Sequence, residues 1–212
     1  MSVFADETTA LLVIDVQNDF CPGGSLAVSR GDAVIPVINT ISPLFSNVVL
    51  TQDWHPENHA SFASQHSGKK AFDVINIAGV QQVLWPDHCV SGSMGADFHP
   101  GLDSSIARMI IRKGIHQHID SYSAFFENDH ETSTGLHGYL HELGIVTVVL
   151  AGLATDFCVY YSAVDAVKMG YRVIVILDAV AGIDVPEGSV KKAIAEMTNM
   201  GVICINSGEI AS

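Results

Sequence analysis

The chain has 212 residues, 48% of them hydrophobic, enough for a substantial core in one α/β domain spanning residues 1–212. Its formal net charge of −13, with no cluster of Lys or Arg, argues against a nucleic-acid surface, and no window approaches the ~18–20 continuous apolar residues of a membrane span. The acidic opening Met-Ser-Val-Phe-Ala-Asp-Glu is unlike a basic leader, and Cys21, Cys89, Cys158 and Cys204 are scattered, so a soluble cytoplasmic protein with reduced thiols is expected.

A short apolar run at 10–14 predicts the first strand. Residues 33–41 follow with helical period, Pro36 being tolerated only near the start, and 47–51 predicts a second strand. The stretch 56–105 shows no clean periodicity and is long for a structureless connection, as functional loops often are. A strand at 109–111 leads to a second such stretch, 114–133. Beyond it the chain alternates: helix 134–143 stopped by Gly144, strand 146–150, helix 157–169 stopped by Gly170, strand 172–177, helix 187–200 stopped by Gly201, strand 202–205. Strands apolar along their length and alternating with helices predict a three-layer α/β/α fold with a central, mostly parallel six-stranded sheet.

In such a sheet, ligands bind outside the carboxyl ends of the strands. Asp15, Asp53, Lys113 and Cys158 stand at or shortly past four of those ends and should converge. Asp178 has an equivalent place and reads as a turn or cap residue. Cys158 falls where a small-residue turn meets a helical pattern; unpaired N–H groups and the macrodipole there should lower a thiol pKa. An inert buried thiol is the plain alternative. An aspartate, a lysine and a cysteine together form a nucleophilic set, the carboxylate taking the thiol proton and later delivering it to a leaving group. Asp15 and Lys113 could equally be a structural ion pair.

Asp53 and His55, two residues apart on extended chain, face one way and can reach one ion. His88 could close a two-His-one-carboxylate set suited to zinc, iron or manganese. A further ligand is left open among His59, Ser61, His66, Glu57 and water. His116 and His118 read as surface or loop residues, and His137 and His141 share a helix face without a third ligand in that helix.

Several long motifs in order carry a resemblance that spans nearly the whole chain: Leu12-Val-Ile-Asp-Val-Gln-Asn-Asp-Phe-Cys-Pro-Gly-Gly-Ser-Leu26, Thr51-Gln-Asp-Trp-His-Pro56 with Ser61-Phe62, Trp85-Pro-Asp-His-Cys-Val90, Lys113-Gly114 and Gly152-Leu-Ala-Thr-Asp-Phe-Cys-Val159. The chain resembles the nicotinamidase/pyrazinamidase family of isochorismatase-like hydrolases. The resemblance implies a Rossmann-like sheet, a catalytic Asp15, Lys113 and Cys158, and metal ligands Asp53, His55 and His88 for one divalent ion, zinc first. It also implies a cis peptide at Leu153–Ala154, an oxyanion hole from the N–H groups of Ala154 and Cys158, and a ring pocket of Phe20, Trp85 and Tyr122. The implied activity is hydrolysis of nicotinamide, and of pyrazinamide, to the acid and ammonia through a cysteine thioester, in NAD salvage. A hydrolase of another small amide, and a non-catalytic metal-binding or redox-sensing protein, are the competing readings. A homodimer is the default assembly.

Overall fold

The computed structural model describes residues 6–77 and 79–210; residues 1–5, on which the expectation about the leader rests, lie outside them. In chain order the elements are β1 (Thr9–Ile14), α1 (Val34–Ile41), β2 (Asn47–Asp53), β3 (Val74–Ile77), β4 (Val80–Val83), β5 (Met109–Lys113), α2 (Leu136–Glu142), β6 (Thr147–Leu153), α3 (Tyr160–Lys168), β7 (Arg172–Ala181), α4 (Ser189–Asn199) and β8 (Ile203–Ile205). Six strands form one sheet in the order β5-β2-β1-β6-β7-β8, every neighbouring pair parallel. The expected sheet is therefore present.

The central strands are covered on both faces, which is why they read as unbroken apolar runs. All of β1, β2 and β6 is buried. Their side chains still alternate between two cores. Leu11 and Val13 pack on one side with Ile35, Ile38 and Ile41 of α1, an apolar stripe at helical spacing. Leu12 and Ile14 pack on the other with Leu136 and Leu140 of α2, Ala163 and Ala166 of α3, and Met197 of α4. Burying each large aliphatic chain stabilises the fold by about 1.5–3 kcal/mol, and truncating one such as Leu12 to alanine costs about 2–5 kcal/mol.

Three features depart from expectation. Strands run further toward the site than the apolar runs do: β2 ends on Asp53, β5 on Lys113 and β6 on Leu153, and β7 continues to Ala181 past a register shift opposite Leu150/Gly152. Asp178 thus lies inside β7, where its carboxylate accepts the Ser207 N–H (2.8 Å) and hydroxyl (2.6 Å) and so still caps a turn. The stretch 56–105 contains the antiparallel hairpin β3–β4, unread in the sequence because its strands are four residues long and half-exposed. Finally, the predicted helix at 157–169 divides into a wide turn, Thr155–Val159, followed by α3.

Candidate active site

Where a doubly wound sheet reverses its strand order, the chain leaves neighbouring strands in opposite directions and a crevice opens past their carboxyl ends. Here the reversal lies between β1 and β6. The two strands approach closely because Gly152 faces Ile14: a Cβ at 152 would fall 2.1 Å from the Ile14 carbonyl oxygen, and the backbone has φ +111°. Asp15 follows β1 directly with φ 48°, and Asp53 and Lys113 are register partners at the ends of β2 and β5. Cys158 enters from the wide turn, which the Val159 N–H closes by donating to the Ala154 carbonyl at 3.1 Å.

These four side chains meet. The wholly buried Lys113 ammonium lies 2.9 Å from Asp15 Oδ2, 2.5 Å from Asp53 Oδ1, 2.9 Å from the Ser121 carbonyl and 3.4 Å from Cys158 Sγ. Carboxylate oxygens of Asp15 and Asp53 and the Cys158 sulfur lie within 4.8 Å of one another. Thr51, which the sequence did not single out, orients Asp15: its hydroxyl donates to Oδ1 at 2.6 Å and accepts the Asp15 N–H at 3.1 Å. Asp15 Oδ2 meets the Lys113 ammonium at 2.9 Å, and a carboxylate oxygen keeps a further lone pair for a proton from the nearby sulfur.

Burial decides the charges. It pushes the Asp15 carboxyl up to about 6, against the pull of Lys113. Burial would lower Lys113, but Asp15 and Asp53 outweigh it and hold the ammonium charged. For Cys158 burial raises the thiol pKa well above its ordinary value, and Lys113 offsets this only in part. That corrects the expectation of a lowered thiol pKa. Desolvation of the buried sulfur outweighs the pull of Lys113 and favours the thiol form.

Asp53, His55 and His88 also converge, with ligand atoms within 4.8 Å of one another and Asp53 Oδ2 3.7 Å from His55 Nε2. They fit a divalent cation. His55 Nδ1 donates to the Gly114 carbonyl and His88 Nδ1 to the Pro86 carbonyl, both at 2.8 Å, which turns both Nε2 lone pairs inward. Burial, then His55, pushes His88 down to about 4, leaving it a neutral ligand. For His55 burial pulls downward and Asp53 more than reverses it; beside that carboxylate Nε2 attracts a positive charge, whether proton or metal. Asp53 is held below the usual range: burial would raise it, and Lys113, then His55, prevail. Of the further ligands considered, His66 Nε2 is engaged by the Ala60 carbonyl (2.7 Å) and Glu57 is exposed. His59 stacks on His55 at 4.2 Å and pairs its Nδ1 with the Ser61 hydroxyl at 2.7 Å. His116 and His118 are exposed, and His137 Nδ1 meets the Tyr171 hydroxyl, away from this cluster.

Phe20, Trp85 and Tyr122 line one cavity with Ala154 and Cys158. Trp85 Nε1 donates to the Tyr122 hydroxyl at 3.2 Å, and Phe157 packs edge-on against Trp85 with centroids 4.8 Å apart. The Leu153–Ala154 peptide is cis. Asp53 and His88 also line it, and Leu26, Asp120, Phe157 and Ile183, to which the sequence assigned no role, complete the lining. Phe157 stands inside the cysteine motif and Leu26 ends the first motif; Asp120 and Ile183 arrive from loops whose position only the fold determines.

A thiol, a carboxylate and an ammonium beside a carboxylate–imidazole trio, all at the switch point of a doubly wound sheet, define a built polar site of an α/β protein. Residues 9–209 match the Isochorismatase domain, and the chain belongs to that family. The nicotinamidase of Acinetobacter baylyi is 55% identical over 201 residues, 95% of this chain and 94% of that protein. A solved Acinetobacter baumanii nicotinamidase pyrazinamidase is similar with TM-score 0.94 and 54% identity over 96% of this chain and 98% of that one. A Pyrococcus horikoshii pyrazinamidase in complex with zinc gives TM-score 0.76 and 34% identity over 94% and 99%. Among the described residues no helix is long and apolar enough to cross a membrane.

Proposed function

We propose that this chain hydrolyses nicotinamide to nicotinate and ammonia, and acts likewise on pyrazinamide, as a step of NAD salvage. One observation carries the reading: Lys113 lies within 3.4 Å of Cys158 Sγ and 2.9 Å of Asp15, so nucleophile, base and counter-charge share one contact. The similarity to a nicotinamidase at 55% identity supports the substrate.

Asp15 takes the Cys158 thiol proton as the sulfur attacks the carboxamide carbon, a transfer favoured by the carboxyl's elevated pKa of about 6. The N–H groups of Ala154 and Cys158 donate to the developing oxyanion, about 2.7–4 kcal/mol per donor in comparable sites. Asp15 returns the proton to nitrogen, the C–N bond breaks and ammonia leaves a thioester on Cys158. Water then gives a proton to Asp15 and its oxygen to the acyl carbon, the C–S bond breaks, Asp15 returns the proton to sulfur to restore the thiol, and nicotinic acid leaves and ionises to nicotinate. Lys113 keeps both carboxylates ionised between these transfers. Phe20, Trp85 and Tyr122 hold the flat ring between them. Asp53, His55 and His88 would hold one divalent ion, zinc in the first place and iron or manganese as alternatives, which supplies Lewis-acid polarisation and a fixed point for the ring when bound.

The free thiols suit a reducing, cytoplasmic setting, and the reading assigns all of the chemistry to one domain across 1–212, acting alone or as a homodimer. Ammonia release measured with nicotinamide, pyrazinamide and an aliphatic amide tests the proposal. Turnover of the two aromatic amides is expected; equal turnover of the aliphatic amide, or none of nicotinamide, overturns it.

A further inference from the structure

Asp156 stands two residues before Cys158 in the wide turn and is buried, yet the chemistry above does not use it. Its carboxylate is spent on another segment. Oδ1 accepts the Ile183 N–H at 2.9 Å; Oδ2 accepts the Asp184 N–H at 2.9 Å and the Ser189 hydroxyl at 2.5 Å. The three donors bracket the connection between β7 and α4, the first two just past the strand and the third at the first residue of the helix. The outer residues 184–188 are exposed, whereas Ile183 is half-buried and turned onto the ring cavity. Contact with the turn is close enough to require a glycine: a Cβ at Gly182 would fall 2.8 Å from Asp156 Oδ1 and 2.2 Å from Val190 Cγ2.

We propose that Asp156 is a positioning residue that holds Ile183 as a fixed wall of the ring cavity and thereby sets which ring substituents the cavity accepts. The proposal rests on the amidase reading above. A carboxylate suits the task because it is acceptor-only and can take three converging donors, and such charge-assisted bonds are stronger than neutral ones. An asparagine of the same shape has one acceptor oxygen and would turn an NH2 group toward a backbone N–H. The wall would then lose its anchor while the Cys158 side chain stays chemically intact.

The test uses the full-length chain as wild type, Asp156→Asn, Ile183→Ala and the double variant. Ammonia release is followed from nicotinamide and a panel of ring-methylated nicotinamides, and hydrogen exchange is followed at 182–188. For Asp156→Asn we expect KM for nicotinamide to rise about tenfold with a much smaller change in kcat, and selectivity to shift about tenfold toward at least one methylated ring, the scale on which a pocket senses one methyl group. Ile183→Ala should shift selectivity the same way, and the double variant should go little further than the larger single effect, since both changes act through one wall. The Ile183 and Asp184 amides should exchange faster in Asp156→Asn. A fall in kcat at unchanged KM and selectivity, or fully additive effects in the double variant, overturns the inference. Should Asp156→Asn fail to fold, Ser189→Ala removes one donor and must move selectivity in the same direction; no movement in it or in Ile183→Ala counts against the proposal. Absence of ammonia from the wild type with faster exchange in Asp156→Asn would instead strike the amidase reading and leave the anchoring of Ile183 standing.

Discussion

The ammonium of Lys113 rests on Oδ1 of Asp53 at 2.5 Å, and this cross-strand contact joins the Asp53, His55 and His88 trio to the thiol. Asp53 therefore divides its carboxylate, one oxygen toward Lys113 and the other facing His55. Because Lys113 also neutralises Asp15, its loss leaves the buried Asp15 without a counter-charge and Asp53 with His55 alone. Breaking a buried ion pair by removing one partner costs about 3–5 kcal/mol. Lys113→Met should lower stability by that order in urea unfolding and remove turnover; a variant as stable as wild type would contradict the electrostatic assignment.

Acid should switch the reaction off through Asp15. Its carboxyl is pushed up to about 6, chiefly by burial, and the base must be ionised to accept the thiol proton. Below about pH 6, kcat/KM should fall roughly tenfold per pH unit as the carboxylate protonates. The Thr51 hydrogen bond favours the ionised form, so Thr51→Val should raise the Asp15 pKa and move the acid limb to higher pH. A pH–rate profile decides this, and a limb moving toward lower pH would contradict it.

Gly114 is the most sensitive neighbour of the ligand trio. Its carbonyl fixes the His55 tautomer, its φ is +61°, and a Cβ there would fall 2.4 Å from His55 Cε1. Gly114→Ala should displace the imidazole and weaken zinc binding about 10–100-fold, the usual effect of disturbing a group that orients a ligand. Competition with a chromogenic chelator measures it, and His55→Ala should lower metal content further. Unchanged zinc affinity in both variants would remove His55 from the ligand set.

Glu127 offers a stability prediction with a definite sign. It is only 3% exposed, its Oε2 has no hydrogen-bond partner, and burial pushes its carboxyl up from 4.5 to about 7. A folded-state pKa above the unfolded value means that folding favours the protonated form. Its stabilising contribution is complete below about pH 4.5 and is lost as pH rises through about 7. Glu127→Gln should thus be more stable than wild type at pH 8 by about 1–3 kcal/mol, the cost of an unsatisfied buried group, and close to it at pH 4.5. Urea midpoints at the two pH values check this; a gain that does not depend on pH would contradict it.

The sheet and the residues at its carboxyl edge were legible because strands covered on both faces are written as apolar runs, so the polar residues within two positions past each run mark the rim. Asp15, Asp53 and Lys113 stand out in this way. The wide turn that holds Cys158 did not, since the apolar pattern of 157–169 runs through its second half with helical spacing. Nor did the direction of the Cys158 pKa, which depends on how completely the fold encloses the sulfur. Thr51 and Asp156 bond to neighbours distant in sequence, Asp120 and Ile183 reach the cavity from loops, and no period along the chain announces such pairings. The β3–β4 hairpin was hidden by its short, half-exposed strands.

The most direct test is to mix enzyme with nicotinamide, quench with acid within a turnover and weigh the peptides. A nicotinoyl group on the peptide containing Cys158, absent from a folded Cys158→Ala, is the predicted result. Full ammonia release by Cys158→Ala, or an acyl group carried on any other residue, would contradict the account.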